Sequence, residues 1–212
     1  MRVLVPDAEV GEPRAWVIPQ DALAVCHPLV QAALVKLRKK LSLPNEHLPV
    51  GTLRLSAWGN AYRVLAGAEI WNEHGQWVRE NGKHLADGVL ARFMAASRIT
   101  LDEVKQEQLV RNTAIRTLEA LLADDAIILM PTVPGPAPLC AGPADVLASE
   151  RQQVQQLVSA AGLAGLPQVS LPWIEIDGAP VGLSVMGAKG SDGTVVQAAR
   201  LLSKLVSSEK IV

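Results

Sequence analysis

The feature that most constrains the fold is the apolar run Ala126–Met130, which is closed by a proline-rich segment, Pro131–Pro138. A continuous apolar run of this length is typical of a strand that is buried on both faces of a sheet. The four prolines that follow lack N–H groups and fix the backbone angle φ, so this segment forms neither helix nor strand ladder. We therefore predict a buried strand followed by a stiff loop suited to the wall of a pocket.

Apolar periodicity predicts helices and further strands on both sides of this strand. Thr100 and Glu103 form a capping box that predicts the start of one helix. Residues that recur at intervals of three and four predict helices over Asp21–Leu41, Asn60–Arg79, Thr100–Leu121, Glu150–Ala161 and Asp192–Val206. Strands are predicted over Arg2–Pro6 and Leu48–Leu55, and as a hairpin, Val169–Ile176 with Val181–Met186, around the turn Asp177-Gly178. This alternation predicts an α/β fold with a mixed β-sheet flanked by helices, with residues 1–212 forming a single domain or part of one.

The composition excludes several classes of function. The chain has 212 residues, and nearly half of them are apolar, which is enough to bury a core. Lys and Arg together number 20 and Asp and Glu 21, so no strong field attracts nucleic acid or an anionic membrane surface. The apolar run Val3–Val5 is too short for a signal peptide or a membrane span, and we expect the protein in the cytoplasm.

Titratable side chains show no spacing that predicts a metal site or a disulfide framework. Cys26 and Cys140 lie far apart and outside any CxxC pattern, so buried thiols are the expectation. The histidines match neither HExxH nor another metal-ligand spacing; they are His27, His47, His74 and His84. We expect no metal and no cofactor.

The glycine-rich segment Gly187–Gly193 invites comparison with a phosphate-binding loop. Its spacing fits neither the Walker pattern GxxxxGK[ST] nor the dinucleotide pattern GxGxxG, which favours a turn and helix cap. Ser191 within it is also conceivable as a nucleophile, but a serine needs a base within hydrogen-bond reach and an oxyanion hole. A cap at the start of the last helix is the favoured interpretation of Ser191 and Asp192.

Two ordered segments carry a resemblance to a known family. The run Asp124–Pro138, DDAIILMPTVPGPAP, resembles the apolar strand and following proline loop of the amidase signature family. The stretch Ala161–Asp192, with AGLAGLPQVSLP and PVGLSVMGAKGSD, resembles the ending of that family. The helix with AEIWNEHGQW and the stretch Gly88–Thr100 are similar to the branch that includes indole-acetamide-hydrolase-like amidases.

The resemblance implies the carboxy-terminal portion of the amidase signature fold, and an activity on the C–N bonds of small non-peptide carboxamides. Family members use a serine nucleophile, a second serine and a lysine that acts as acid and base. The pattern that holds them, Lys…Gly-Gly-Ser-Ser…Gly-Ser-x-x-Gly-Gly-Ser, is absent from this sequence. We therefore expect no catalytic residue here. The resemblance implies substrate-lining roles, with a purely structural role as the alternative, for Pro131, Thr132, Pro134, Leu166, Pro167 and Gln168.

Three hypotheses about function follow. The leading one is an amidase fragment, inactive alone, whose partner is the missing amino-terminal half, or which self-associates through an exposed apolar face. The main rival is a binding or scaffold module that keeps part of the amidase fold and holds a ligand or partner with its proline loop. The third is a stand-alone hydrolase with a site at Ser191.

Overall fold

A computed structural model describes residues 11–139 and 142–207 of the chain, and five strands form one mixed sheet in this part. The strands are β1 (Ala15–Pro19), β2 (Asn45–Leu48), β3 (Ala126–Pro131), β4 (Gln168–Ile176) and β5 (Ala179–Met186). Their order across the sheet is β2-β1-β3-β5-β4. Strand β1 is parallel to β2 and β3, whereas β5 is antiparallel to β3 and β4. The predicted α/β fold with a mixed sheet is confirmed.

Strand β3 lies at the centre of the sheet, as its apolar sequence predicts. The four residues Ile127–Met130 are each at most 2% exposed. Such a strand needs cover on both faces, which helices provide. Strand β3 pairs with β1 along one edge and with β5 along the other, so the proline loop that follows β3 begins in the middle of the sheet.

Seven α-helices surround the sheet within the described ranges. Helix α3 packs against α4, α5 and α6, and α7 packs against the hairpin of β4 and β5. The helices are α1 (Gln20–Ala24), α2 (Pro28–Arg38), α3 (Leu55–Asn81), α4 (Asp87–Ala96), α5 (Leu101–Leu121), α6 (Ala144–Ala164) and α7 (Asp192–Ser207).

The capping box at the start of α5 is present as predicted. The hydroxyl of Thr100 accepts a hydrogen bond from the backbone N–H of Glu103, and the Glu103 carboxylate accepts one from the backbone N–H of Thr100 at 2.8 Å. This reciprocal pair satisfies two N–H groups that a helix start leaves without partners. Helix α6 begins earlier than predicted and ends at Ala164. The next residue, Gly165, is its C-cap, and its φ of 66° suits a residue without a side chain.

The hairpin of β4 and β5 is also confirmed. Val169 lies opposite Val185, and the turn residues Asp177 and Gly178 both have positive φ, as a two-residue hairpin turn requires. The register shifts between Pro172 and Ile174, where proline cannot donate to the ladder.

The single helix predicted over residues 21–41 is wrong, because the chain forms α1 and α2 with a corner between them. Pro28 is the first residue of α2, where its missing N–H costs nothing, but its ring excludes a helix running through it. His27 caps α2 by accepting the N–H of Leu29 on Nδ1.

The strand predicted over residues 48–55 is displaced. The strand β2 ends at Leu48, and the chain then turns before α3. The carboxylate of Asp21 accepts the N–H groups of Gly51 and Leu53 at 2.7 and 2.8 Å and fixes that turn. Strand β1 was not predicted from the sequence. The strand predicted over residues 2–6 lies outside the described residues, and so does Cys140.

Candidate functional site

A cluster of hydroxyl groups lies where β3 ends, on one face of the sheet. Thr132 Oγ1 is 2.8 Å from Ser170 Oγ and 2.8 Å from Ser184 Oγ. The side-chain amide of Gln168 donates to Ser184 Oγ at 2.8 Å. Ser170 and Ser184 are opposite each other in the β4–β5 ladder, and alternation along β4 puts Gln168 on the same face. We call these four residues the hydroxyl cluster.

Gly182 makes room for the hydroxyl cluster. Its carbonyl oxygen accepts the N–H of Thr132 at 2.9 Å. A Cβ atom at this position would lie 2.8 Å from Ser170 Oγ and 2.9 Å from Thr132 Oγ1. Any larger residue therefore forces these hydroxyls apart.

The hydroxyl cluster consists of uncharged side chains that donate and accept hydrogen bonds. A serine or threonine becomes a nucleophile when a base takes its proton. Within the described ranges, the side-chain partners of these hydroxyls are other hydroxyls and one amide. Ser184 is fully buried. The cluster can orient a polar ligand group, but it has no base of its own to activate a nucleophile.

The substrate-lining residues predicted from the sequence fall into separate places. Thr132 and Gln168 are brought together through Ser184. The other four residues make contacts elsewhere. Pro131 is the buried last residue of β3, opposite Leu183, and Pro134 lies in a groove described below. The N–H of Leu166 donates to the carbonyl of Ala161, and the carbonyl of Pro167 accepts the N–H of Gly187 at 3.2 Å. The six positions therefore do not line one continuous pocket.

The proline loop forms one wall of a groove with a volume of about 630 Å³, which we call the proline groove. The corner between α1 and α2 forms the second wall, and the carbonyl of Pro134 accepts the N–H of His27 at 2.7 Å across it. One face of α6, with Glu150, Gln153 and Val154, forms the third. A groove of this size accommodates a small organic molecule.

A second groove, of about 620 Å³, lies between α3, α4 and α6, and we call it the helical groove. Its floor is apolar and includes Ile70, Phe93 and Ile99. Three exposed arginines from three helices line it; they are Arg63, Arg92 and Arg151. Sequence reasoning missed this site, because its residues are scattered along the chain and each arginine alone matches an ordinary solvated helix position.

Ser191 directly precedes α7, and its hydroxyl bonds the turn before that helix. Its hydroxyl donates to the carbonyl of Ala188 at 2.7 Å, and its own carbonyl accepts the N–H of Val195. A hydroxyl that donates to a backbone carbonyl has no base there to take its proton. The structure thus gives no support to the hypothesis of a hydrolase with a site at Ser191.

Cys26 is the titratable group whose chemistry burial changes most among those described. Its thiol donates to the carbonyl of Ala22 at 3.0 Å, and burial raises the pKa of Cys26 to about 12. At neutral pH the group is therefore a protonated thiol with little nucleophilic character.

The remaining titratable groups do not assemble into a reactive site. Burial, followed by the charge of Arg38, lowers the pKa of His47, whose ring contacts the Gln20 amide. Within residues 11–139 and 142–207, no cluster of three or more His, Cys, Asp or Glu side chains has the geometry to hold a metal ion. No helix in the same ranges has the length and apolar character required to cross a membrane.

Known proteins match this chain in both sequence and structure. Amidase 1 of Arabidopsis thaliana is 31% identical over 139 residues, which are 66% of this chain and 33% of that protein. Outer envelope protein 64, chloroplastic, of the same plant is 27% identical over 144 residues, 68% of this chain and 24% of that protein. A crystal structure described as an amidase shares the fold with a TM-score of 0.81 at 23% identity, covering 93% of this chain and 47% of that one.

The matches to known proteins cover most of this chain but only part of each relative. The chain spans about a third of the length of the curated amidase that it matches, and about half of the amidase crystal structure. The sequence profile of the Amidase family matches residues 39–196, which is well over half of the chain and includes both segments whose resemblance the sequence suggested. The protein belongs to the amidase family.

Proposed function

We propose that this chain is the pocket-forming, carboxy-terminal part of an amidase that hydrolyses the C–N bond of a small non-peptide carboxamide. The observation that carries the proposal is the hydroxyl cluster, which can orient a polar group but has no base among its side-chain partners. Attack on a resonance-stabilised amide requires an activated nucleophile and an acid for the leaving amine. In this proposal both come from outside the chain, as the serine-serine-lysine machinery of the family.

The surface of α4 supports the proposal of a missing partner. All ten residues of α4 are described, and although most of them are apolar, none is buried. On neighbouring α3, Ile70 is 46% exposed and Trp77 is 53% exposed. Exposed apolar side chains on neighbouring helices are consistent with an interaction site. The proposed cover is the amino-terminal half of an amidase, and self-association of the chain is the alternative.

The substrate side of the proposal uses Thr132 and Gln168. A hydroxyl can donate or accept a hydrogen bond, and a side-chain amide offers both functions, so together they suit an uncharged carboxamide. Pro131, Pro134, Leu166 and Pro167 shape the backbone around that position. The proposed compartment is the cytoplasm, and residues 1–212 act as one partial domain that is completed by the partner.

Reconstitution tests this proposal. The full chain would be coexpressed with the amino-terminal half of an amidase relative, and release of ammonia or amine from small aryl and alkyl amides would be measured. We expect turnover by the purified pair and none by the chain alone. Ser191→Ala in the pair should leave the rate unchanged, since that hydroxyl donates to the backbone carbonyl of Ala188. A soluble, assembled pair without activity would contradict the proposal, and so would turnover by the isolated chain.

A second candidate function is a binding or scaffold module without catalysis. The observation that favours it is the match to a relative named as an outer envelope protein rather than as a hydrolase. Such a module needs no missing half, so it predicts a stable solitary chain that a specific ligand stabilises further. Sedimentation of the purified chain separates the two functions, because a monomer with no affinity for the amidase amino-terminal half fits the module alone.

A further inference from the structure

We propose that the helical groove is a binding site for a small organic carboxylate with an aromatic body. This groove lies between α3, α4 and α6 and shares no lining residue with the hydroxyl cluster or the proline groove. Binding there does not depend on the proposed amidase activity, so it can be measured on the chain by itself.

The floor of the helical groove is a packed apolar surface. On α4, Val89, Phe93 and Ala96 recur at intervals of four and three, which places them on one face of that helix. Ile99 follows α4 and reaches across to α3, where a Cβ atom at Gly67 would lie 2.8 Å from its Cδ1. Phe93 and Ile99 are half-buried, so part of each side chain remains accessible to a ligand.

Three arginines give this apolar groove a positive charge. Arg63 lies on α3, Arg92 on α4 and Arg151 on α6, and each is exposed. The described lining contains no Asp or Glu, and none of the three arginines has an acidic residue three or four positions away along the sequence. Those are the positions from which an acidic side chain on the same helix pairs with an arginine. The groove therefore has positive charge that its own walls do not balance.

Arg92 and Arg151 carry the charge that a ligand can neutralise. Hydrogen bonds from Thr100 lower the pKa of Glu103 most, and the charge of Arg63 lowers it further, so Arg63 interacts with a carboxylate outside the groove. No ion pair joins Arg92 or Arg151 to a carboxylate within residues 11–139 and 142–207.

The guanidinium groups of these two arginines also have unused hydrogen-bond donors. Each guanidinium has five N–H bonds in a planar fork. Arg92 donates Nε–H to the carbonyl of Gly88 at 3.1 Å, and Arg151 makes no side-chain hydrogen bond to another described residue. A carboxylate accepts two parallel N–H bonds from one such fork, whereas an alcohol has a single oxygen to offer. The lining thus favours a carboxylate over a neutral ligand of the same shape.

The size of the groove and the ring of Phe93 define the body of the ligand. A volume of about 620 Å³ accommodates a bicyclic aromatic acid. 2-Naphthoate joins a carboxylate to such a ring system and is a suitable probe. 2-Naphthalenemethanol has the same rings without the charge, and acetate has the carboxylate without the rings.

Isothermal titration calorimetry of the full chain with these three compounds tests the proposal. In about 0.15 M NaCl we expect saturable binding of 2-naphthoate, and at least about tenfold weaker binding of 2-naphthalenemethanol and of acetate. Raising NaCl to about 1 M should weaken the binding of 2-naphthoate and should not weaken that of 2-naphthalenemethanol. The salt comparison uses the unmodified chain, so no folding defect can produce it.

Two double variants separate the groove from the overall charge of the chain. Arg92→Gln/Arg151→Gln should weaken 2-naphthoate binding by about tenfold. Lys105→Gln/Arg116→Gln removes two exposed charges from α5, outside the groove, and should leave the affinity unchanged. Because all four side chains are exposed, we expect both variants to unfold at the same urea concentration as the unmodified chain.

The proposal is overturned if 2-naphthoate shows no saturable binding, if 2-naphthalenemethanol or acetate binds equally well, or if added salt has no effect on 2-naphthoate. Full affinity in the double variant of Arg92 and Arg151, or an equal loss in the double variant on α5, would also overturn it. None of these outcomes bears on reconstituted amide hydrolysis, and a failed reconstitution leaves the expected binding unchanged.

Discussion

Replacing Gly182 with alanine tests whether the hydroxyl cluster needs a residue without a side chain. The added Cβ would lie 2.8 Å from Ser170 Oγ and 2.9 Å from Thr132 Oγ1, closer than such atoms approach, and 3.2 Å from Thr132 Cβ. Ser170 can rotate away, but Thr132 is fixed by its backbone bond to Gly182 and by Ser184. We expect the two hydrogen bonds of Thr132 Oγ1 to be lost or strained.

The magnitude follows from those two bonds. Each contributes about 0.5–1.5 kcal/mol net, so their loss costs about 1–3 kcal/mol. Replacing glycine by alanine in a strand recovers about 0.5–1 kcal/mol of conformational entropy. With the middle of each range, Gly182→Ala should therefore lower the free energy of unfolding by about 1 kcal/mol. Urea unfolding followed by tryptophan fluorescence measures this value, provided that the m-value is unchanged.

A matched control separates the cluster from a general effect of alanine. Gly88 in α4 has no heavy atom within 4 Å of the position of an added Cβ, so Gly88→Ala should leave the chain as stable or more stable. In the double variant with Ser170→Ala the closest contact is gone, and the combined loss should be smaller than the sum of the two single losses. If Gly182→Ala behaves like Gly88→Ala, or adds fully to Ser170→Ala, the close approach has no energetic importance.

Two further predictions concern groups whose pKa the fold changes. Cys26 should resist iodoacetamide at about pH 8 in the folded chain and react in urea, because its thiol stays protonated when buried. Peptide mass spectrometry reads this out, and rapid native alkylation would contradict it. Hydrogen bonds from the backbone N–H and the hydroxyl of Thr100 lower the pKa of Glu103. These bonds therefore stabilise the folded state above the pKa that Glu103 has in the unfolded chain, and this stabilisation is lost as the pH falls through its pKa in the folded chain. Thr100→Ala should therefore lower the free energy of unfolding more at about pH 7 than at about pH 3, in urea titrations at both pH values.

The parts of the fold that were predictable from sequence are those with a strong local pattern. Strand β3 has an unbroken apolar run and a proline stop, and α5 has a capping box in addition to its apolar spacing. The corner before α2 was also visible in principle, because Pro28 cannot lie inside a helix. Strand β1 lies in a short apolar run between Pro13 and Pro19, and such a run bounded by prolines is itself typical of a strand.

The candidate sites were less predictable, because they depend on pairing between distant segments. Thr132 and Gln168 were both singled out through the family resemblance, but their shared partner Ser184 was not. A shift of one residue in the β4–β5 register would have turned Ser184 to the other face of the sheet. The helical groove has no local signature at all, since three helices contribute one arginine each.

The position of β3 between a parallel and an antiparallel neighbour has a consequence for how the chain folds. Strands β1 and β2 can meet through the nearby α1–α2 crossover, and β4 and β5 can form a hairpin by themselves. These two local sheets have no contact until β3 inserts between them, across the long intervening segment 20–125. Because closing so long a loop costs chain entropy, we expect insertion of β3 to be a late step, before which the inner edges of β1 and β5 are unpaired and open to other chains. Aggregation during refolding should therefore depend on how quickly this one strand docks.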